Sequence, residues 1–246
     1  MRWLVVVAHP DDESFGCGSV LAAASAAGDE TVVLCATRGE AGESRIRTDD
    51  LAALREAELY EAARILGVGT VLVLDHVDSG MDGEPAEGTL AAAAAETVAD
   101  EVRAVLDDVR PDVVVTLDAS DGHRDHARVR DATVAAVDTV EHPPAATYLW
   151  CLARSTMAKW VQHVHGHEAY VAMGELGTPD NEITTVLDAS EFLPIRWAAI
   201  RAHASQASPY DDLPADLQHE FLASDRLRLV RGEDVLARRA AGQALP

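Results

Sequence analysis

Lysine is all but missing from this chain. The 246 residues carry 42 acidic side chains against 20 basic ones, of which only Lys159 is a lysine, and the formal net charge is −22. Clustered cations are what polyphosphate and anionic lipid require, so this balance excludes nucleic acid or a membrane surface as the main partner. Cysteine is sparse too. Cys17, Cys35 and Cys151 are odd in number and show no C-x-x-C spacing, which argues against a disulfide framework and against a thiolate zinc site. They read as buried thiols in a reducing compartment. Long hydrophobic runs are missing as well: beyond the N-terminal run none is longer than that at residues 90–95, far short of the roughly 18 residues of a spanning helix. The opening run stops at His9-Pro10-Asp11-Asp12, without the apolar stretch and cleavage site of a signal peptide. The expectation is a cytoplasmic protein with no membrane insertion. No low-complexity linker and no repeat divides the sequence, so residues 1–246 are read as one domain, and a homo-oligomer is compatible with its composition.

Hydrophobic residues at 48% and charged ones at 25% are those of a globular chain. Through the first 140 residues, short valine-rich runs at 3–8, 30–37, 70–75 and 112–118 alternate with helical patterns at about 14–27, 48–66, 89–109 and 126–140. The second of these helices is predicted to start at Thr48 as N-cap and to end at Gly67. Strands that are apolar almost throughout are buried on both faces, which predicts a Rossmann-like α/β fold, mostly parallel, with helices on both faces of the sheet. The second half is less regular: strands are expected at 148–152, 183–187 and 227–230, and helices at 191–206 and 215–223.

Ligands of open parallel sheets bind at the carboxyl ends of the strands. Four successive strand ends here carry histidine or carboxylate: His9-Pro10-Asp11-Asp12-Glu13, then Arg38-Gly39-Glu40 with Glu43, then Asp75-His76-Val77-Asp78, then Asp118 through His126. Two histidines and a carboxylate with an open fourth position form a catalytic zinc ligand set. His9 and Asp12, three apart on one turn, can bite one ion while His126 closes from the fourth strand. Asp11 is then free as general base toward water at the open position, and His123 can face a developing oxyanion with Asp125 placed to orient it. A blander reading assigns Asp11, Asp12 and Glu13 to the N-terminus of the first helix and Asp125 to an N-cap. The joint occurrence of His9 and His126 after strands one and four favours the metal site.

These residues carry a family likeness. Ala8-His9-Pro10-Asp11-Asp12-Glu13, followed by His123-x-Asp125-His126, resembles the LmbE-like/PIG-L N-deacetylases. The likeness extends to Thr37-x-Gly39-Glu40-x-Gly42, to Arg55-x-x-Glu58-Leu59-x-x-Ala62-x-x-x-Leu66-Gly67 and, more weakly, to His203-x-Ser205-Gln206. It implies a Rossmann-like fold and hydrolysis of N-acyl amino sugars with zinc, or ferrous iron in some members. His9, Asp12 and His126 match the metal ligands, Asp11 the base, and His123 the acid or oxyanion-stabilising histidine. Similarity to the mycothiol branch further implies Glu43, Arg55 and Asp78 as substrate-binding residues. An amidase for thiol conjugates and an antibiotic-tailoring deacylase are alternatives within the same family.

A rival from another class is a magnesium-binding receiver-like module using Asp11, Asp12 and Asp75. It needs a lysine at a late strand end and leaves His9 and His126 without a role. The alternating His163, His165 and His167, with Glu168 beside them, invite a second metal site, but read as a solvated segment.

Overall fold

The computed structural model describes residues 1–81, 83–163 and 175–243. Seven strands form one sheet: β1 (Arg2–Val7), β2 (Glu30–Thr37), β3 (Thr70–His76), β4 (Val113–Leu117), β5 (Ala146–Cys151), β6 (Thr185–Asp188) and β7 (Ser224–Gly232). Their order is β3-β2-β1-β4-β5-β7-β6. The first five strands are parallel, and β7 enters antiparallel between β5 and β6. Nine α-helices are described: α1 (Asp12–Phe15), α2 (Gly18–Ala26), α3 (Leu51–Leu66), α4 (Ala95–Val109), α5 (Arg124–Val137), α6 (Arg154–Trp160), α7 (Leu193–Ala202), α8 (Ala215–Leu222) and α9 (Val235–Ala240). None is long and apolar enough to cross a membrane.

The period-two alternation of a strand sorts β1 between two cores. Trp3, Val5 and Val7 pack with Leu59, Ala62 and Leu66 of α3 and with α2 and α7, whereas Leu4, Val6 and Ala8 meet α4 and α5 on the other face. On α4 the buried residues are Val98, Val102 and Leu106, one helical turn apart. A third cluster joins α6, α7 and α8 through Met157, Ile200, Leu217 and Phe221. The strand order reverses between β1 and β4, and in such sheets that switch point opens a crevice above the strand ends. Both halves of the predicted site start there.

Three predicted helices are shorter than the pattern suggested. The helix expected at 14–27 breaks at Gly16-Cys17, where the buried Arg196 guanidinium donates to the carbonyls of Ser14, Phe15 and Gly16. The helix expected from residue 89 starts at Ala95. The alanine run has high helical propensity, but Leu90 N–H donates to Val77 and Ala91 N–H to Ser79 Oγ, which ties the segment to the loop after β3. The span 191–206 is a 3₁₀ turn (Ser190–Phe192) followed by α7. For α3, Asp50 replaces Thr48 as the N-cap, accepting from Ala53 N–H, and Gly67 closes it in the left-handed conformation as expected.

Candidate metal centre and active site

The turn between β1 and α1 sets two adjacent carboxylates in different directions. Asp12 is buried, and its Oδ2 accepts from the backbone N–H of Ala8 (3.1 Å) and His9 (2.8 Å). Asp11 sits at φ 130°, ψ −29°, a region that costs a non-glycine residue of order 1–3 kcal/mol. Two side chains hold it there: Glu13 Oε2 accepts Asp11 N–H at 3.0 Å, and Arg55 Nη2 donates to Asp11 Oδ2 at 2.8 Å. Glu13 is itself fixed by Ser14 Oγ and by His203, whose Nε2 lies 2.6 Å away.

Arg55 explains the glycines after β2. Its guanidinium also donates to Gly39 O and Pro10 O, both at 2.6 Å. A Cβ at Gly39, where φ is +67°, would stand 2.3 Å from Arg55 Nη1, and one at Gly42 would stand 2.5 Å from it. The Thr37-x-Gly39-Glu40-x-Gly42 motif is thus a backbone cover over Arg55. Glu58, one turn along α3, accepts from Ser205 N–H and Oγ and so ties the His203-x-Ser205 segment to the same wall.

Histidines and carboxylates converge above β1 and β4. His9 Nδ1 lies 3.5 Å from Asp12 Oδ2, and His126 Nε2 lies 3.2 Å from Asp12 Oδ1. The far nitrogen of each ring faces another acid: His9 Nε2 is 3.2 Å from Asp125 Oδ2 and 3.5 Å from Asp78 Oδ1, and His126 Nδ1 is 2.6 Å from Asp121 Oδ2. A ring N–H given to these outer carboxylates leaves the lone pair of each imidazole turned toward Asp12, the arrangement metal-ligating histidines use. Among the described residues, the trios that bring one ligand atom each within 4.8 Å of one another are His9/His123/His126 and His9/Asp78/Asp125, so the first of them shares His9 and His126 with the predicted ligand set. Asp125 Oδ1 is buried with no hydrogen-bond partner. The donor chemistry and this carboxylate excess fit a divalent, borderline ion.

Electrostatics agree. Burial alone would lower the pKa of His9, but Asp12, Asp125 and Asp78 outweigh it and hold it well above the ordinary value. Burial is likewise overcome at His126, which Asp12 and Asp121 bring to about 10. Asp12 lies well below the carboxylate range despite burial, because His126 and His9 face it. The field of this cluster favours positive charge. Asp11 shifts the other way, to about 6, because its burial and the neighbouring Asp12 exceed the pull of Arg55. His123 falls to about 4 through burial and the charges of His9 and His126.

Several predicted roles are redistributed. The N-cap of α5 is His123, not Asp125: His123 Nδ1 accepts Asp125 N–H at 3.1 Å. The Asp125 carboxylate faces His9 and Ser79 N–H instead of orienting His123. Arg55 is buried and engaged with Asp11 and two backbone carbonyls, and Asp78 is buried beside His9, also accepting Gly80 N–H. Glu43 is exposed on the loop over Arg55. The loops that carry Glu43 and Asp78 approach each other, a Cβ at Gly80 standing 3.7 Å from that of Ala41. The sequence alone assigns no role in the site to Asp121, Glu13 or His203, although the last two stand in the family-like motifs. Only the closeness of Asp121 to His123 and His126 in the chain signals the first.

The receiver-like alternative fails on geometry. The Asp75 side chain is exposed and receives Arg38 Nη1, while Lys159 pairs with Glu220 far along the chain. Cys17, Cys35 and Cys151 are all free and buried. His163 is exposed with its Nδ1 near Lys159 O, and His165, His167 and Glu168 lie outside the described residues.

Beside Asp12, His123 and His126 opens a cavity of about 340 Å³. Comparison with known proteins bears on what such a centre does. A 1D-myo-inositol 2-acetamido-2-deoxy-α-D-glucopyranoside deacetylase of Kineococcus radiotolerans is 36% identical, the match covering 84% of this chain and 69% of that protein. A solved structure of a conserved protein from Thermus thermophilus superposes with a TM-score of 0.60 at 26% identity, covering 95% of each chain. The 4-carboxy-2-hydroxymuconate hydratase of Pseudomonas putida also shares the fold, with a TM-score of 0.64 at 18% identity over 94% of this chain and 97% of that one. Because a hydratase wears the same architecture, fold alone does not choose the reaction. The sequence match does narrow the choice: the profile of the GlcNAc-PI de-N-acetylases, PIG-L, covers residues 4–137, the segment holding β1 through α5 and with them every histidine and aspartate of the centre, and the chain belongs to that family.

Proposed function

We propose that this chain is a metal-dependent N-deacylase, a single domain acting in the cytoplasm that hydrolyses the amide of an N-acyl amino sugar such as an N-acetylglucosaminyl conjugate. The observation that carries the reading is the convergence of His9 and His126 on Asp12, with Asp11 turned aside on a strained backbone. His9, Asp12 and His126 would hold the ion, zinc in this reading with ferrous iron as the alternative. When bound, it supplies the Lewis acidity that acidifies water and polarises the amide carbonyl.

The chain's own residues do the rest. Arg55 fixes the carboxylate of Asp11, whose pKa near 6 leaves it ionised at neutral pH yet basic enough to take a proton from water. Neutral His123 accepts at Nδ1, so its proton sits on Nε2 and offers a donor to the oxyanion that forms as water adds to the carbonyl. Asp11, now protonated, returns its proton to the leaving nitrogen as the C–N bond breaks. The products are a carboxylate and a free amine. Asp125 and Asp121 orient His9 and His126, and Glu43 and Asp78 are proposed to meet the substrate's polar groups. The test is amine release from a panel of N-acetyl amino sugars, including a glucosaminyl-inositol, and of thiol-conjugate amides. Release from amino sugars supports the reading, and release only from thiol-conjugate amides moves it to the amidase alternative.

A further inference from the structure

The cavity beside the metal centre is the wrong place for a sugar. Asp12, His123 and His126 form one side of it, and Phe15, Leu117, Trp150, Met157, Trp160 and Phe221 supply much of the remainder. Away from the metal-centre side, the polar groups in its wall have partners elsewhere. Trp150 Nε1 donates to Asp225, Trp160 Nε1 to Pro209 O, and Tyr210 OH to Phe15 O. Asp118 accepts from Ser120 and Thr178, and Asp121 faces His126 and accepts His123 N–H. A polyol seated against the aromatic and aliphatic side of this wall would find few replacements for its hydrogen bonds to water, whereas an apolar chain would lose nothing and bury its surface.

Size points the same way. An acetyl methyl is of about water size, roughly 30 Å³, and would leave most of the 340 Å³ empty. The loop carrying Glu43 packs over Arg55 and lies outside this wall, so the polar and apolar sides of the substrate have separate places. We propose that the cavity is an acyl subsite for an unbranched apolar acyl group of roughly six to ten carbons, seated with its carbonyl beside His123. This rests on the deacylase reading and names its substrate as a medium-chain N-acyl amino sugar.

The test compares N-acetyl, N-butanoyl, N-hexanoyl and N-octanoyl glucosamine. Within this series kcat/KM should rise roughly two- to fourfold per added methylene until the cavity is filled. A maximum at acetyl with a steady fall thereafter would overturn the proposal. Met157→Trp, which fills the cavity, should cut the octanoyl-to-acetyl ratio at least tenfold, and Leu152, which also lines it, supplies a second variant, Leu152→Phe, should the first not fold. An unchanged ratio in a folded variant contradicts the assignment. Trp150 and Trp160 give a readout independent of turnover. N-octanoyl glucosamine should change their fluorescence in Asp11→Asn, and N-acetyl glucosamine should change it far less. A chain-length-dependent fluorescence change without amine release from any substrate would uphold the apolar subsite and overturn the deacylase reading. Equal responses to both compounds would overturn the subsite.

Discussion

Adjacent carboxylates have different surroundings in the turn after β1. Asp12 is pinned by two backbone N–H groups and faces two imidazoles, and Asp11 is drawn aside by Arg55 and Glu13. Asp12→Asn should therefore lose or weaken bound metal. Asp11→Asn should keep it while kcat falls roughly 10²- to 10⁴-fold, the span for a lost general base. Metal analysis and kcat for the two variants side by side check this, and metal loss in Asp11→Asn with retention in Asp12→Asn would reverse the two roles. Asp121→Asn, which weakens the orientation of His126, should lower metal affinity about 10- to 100-fold without abolishing binding, as read by a competition titration with a chromogenic chelator. At this scale the sequence names the right residue types at the right strand ends. It does not show their pairings. His9 meets Asp125 across 116 positions and Glu13 meets His203 across 190, contacts that depend on backbone directions no local pattern encodes.

At the scale of elements, the loop after β2 is the clearest case of sequence bending to a side chain elsewhere. Gly39→Ala would drive a methyl into the Arg55 guanidinium at a positive φ, so it should destabilise the fold by about 1–3 kcal/mol and lower kcat by loosening Asp11. Gly88→Ala, also at positive φ but with nothing within 4 Å, should cost only the backbone strain of about 1–2 kcal/mol and leave kcat alone. Urea melts and steady-state kinetics separate the two, and equal kinetic effects would remove Arg55 from the account. The parallel strands β1 to β4 and helix α3 were legible because their burial leaves strong periodic patterns. The break between α1 and α2 was not, since the buried Arg196 that caps it arrives from α7. Nor was the late start of α4, where tertiary hydrogen bonds override the propensity of alanine.

Across the whole molecule, the sheet order brings β1 and β4 together and so assembles a site from segments about 110 residues apart. The antiparallel insertion of β7 between β5 and β6 had no counterpart in the sequence pattern, because a short strand does not announce its partner. The start of β1 and helix α9 meet at Asp29, which accepts from the Met1 amine, from Trp3 Nε1 and from Arg239. Although burial opposes it, these three donors hold the Asp29 pKa below its ordinary value. A depressed carboxylate stabilises the fold above the unfolded pKa, about 3.9, and that contribution is lost as pH falls through the folded value. Asp29→Asn should accordingly lower stability by about 1–3 kcal/mol at pH 7, and its unfolding curve should converge with the unsubstituted protein's at low pH. A difference that persists at pH 2 would mean that Asp29 acts by packing alone.

The centre itself is tested most directly by metal content measured together with amine release, before and after chelation, in the unsubstituted protein and in His126→Ala. One divalent ion per chain is expected, with activity lost with the ion and restored with zinc, and neither ion nor activity in His126→Ala. Full activity in the chelated protein, or a full complement of metal in His126→Ala, would contradict this.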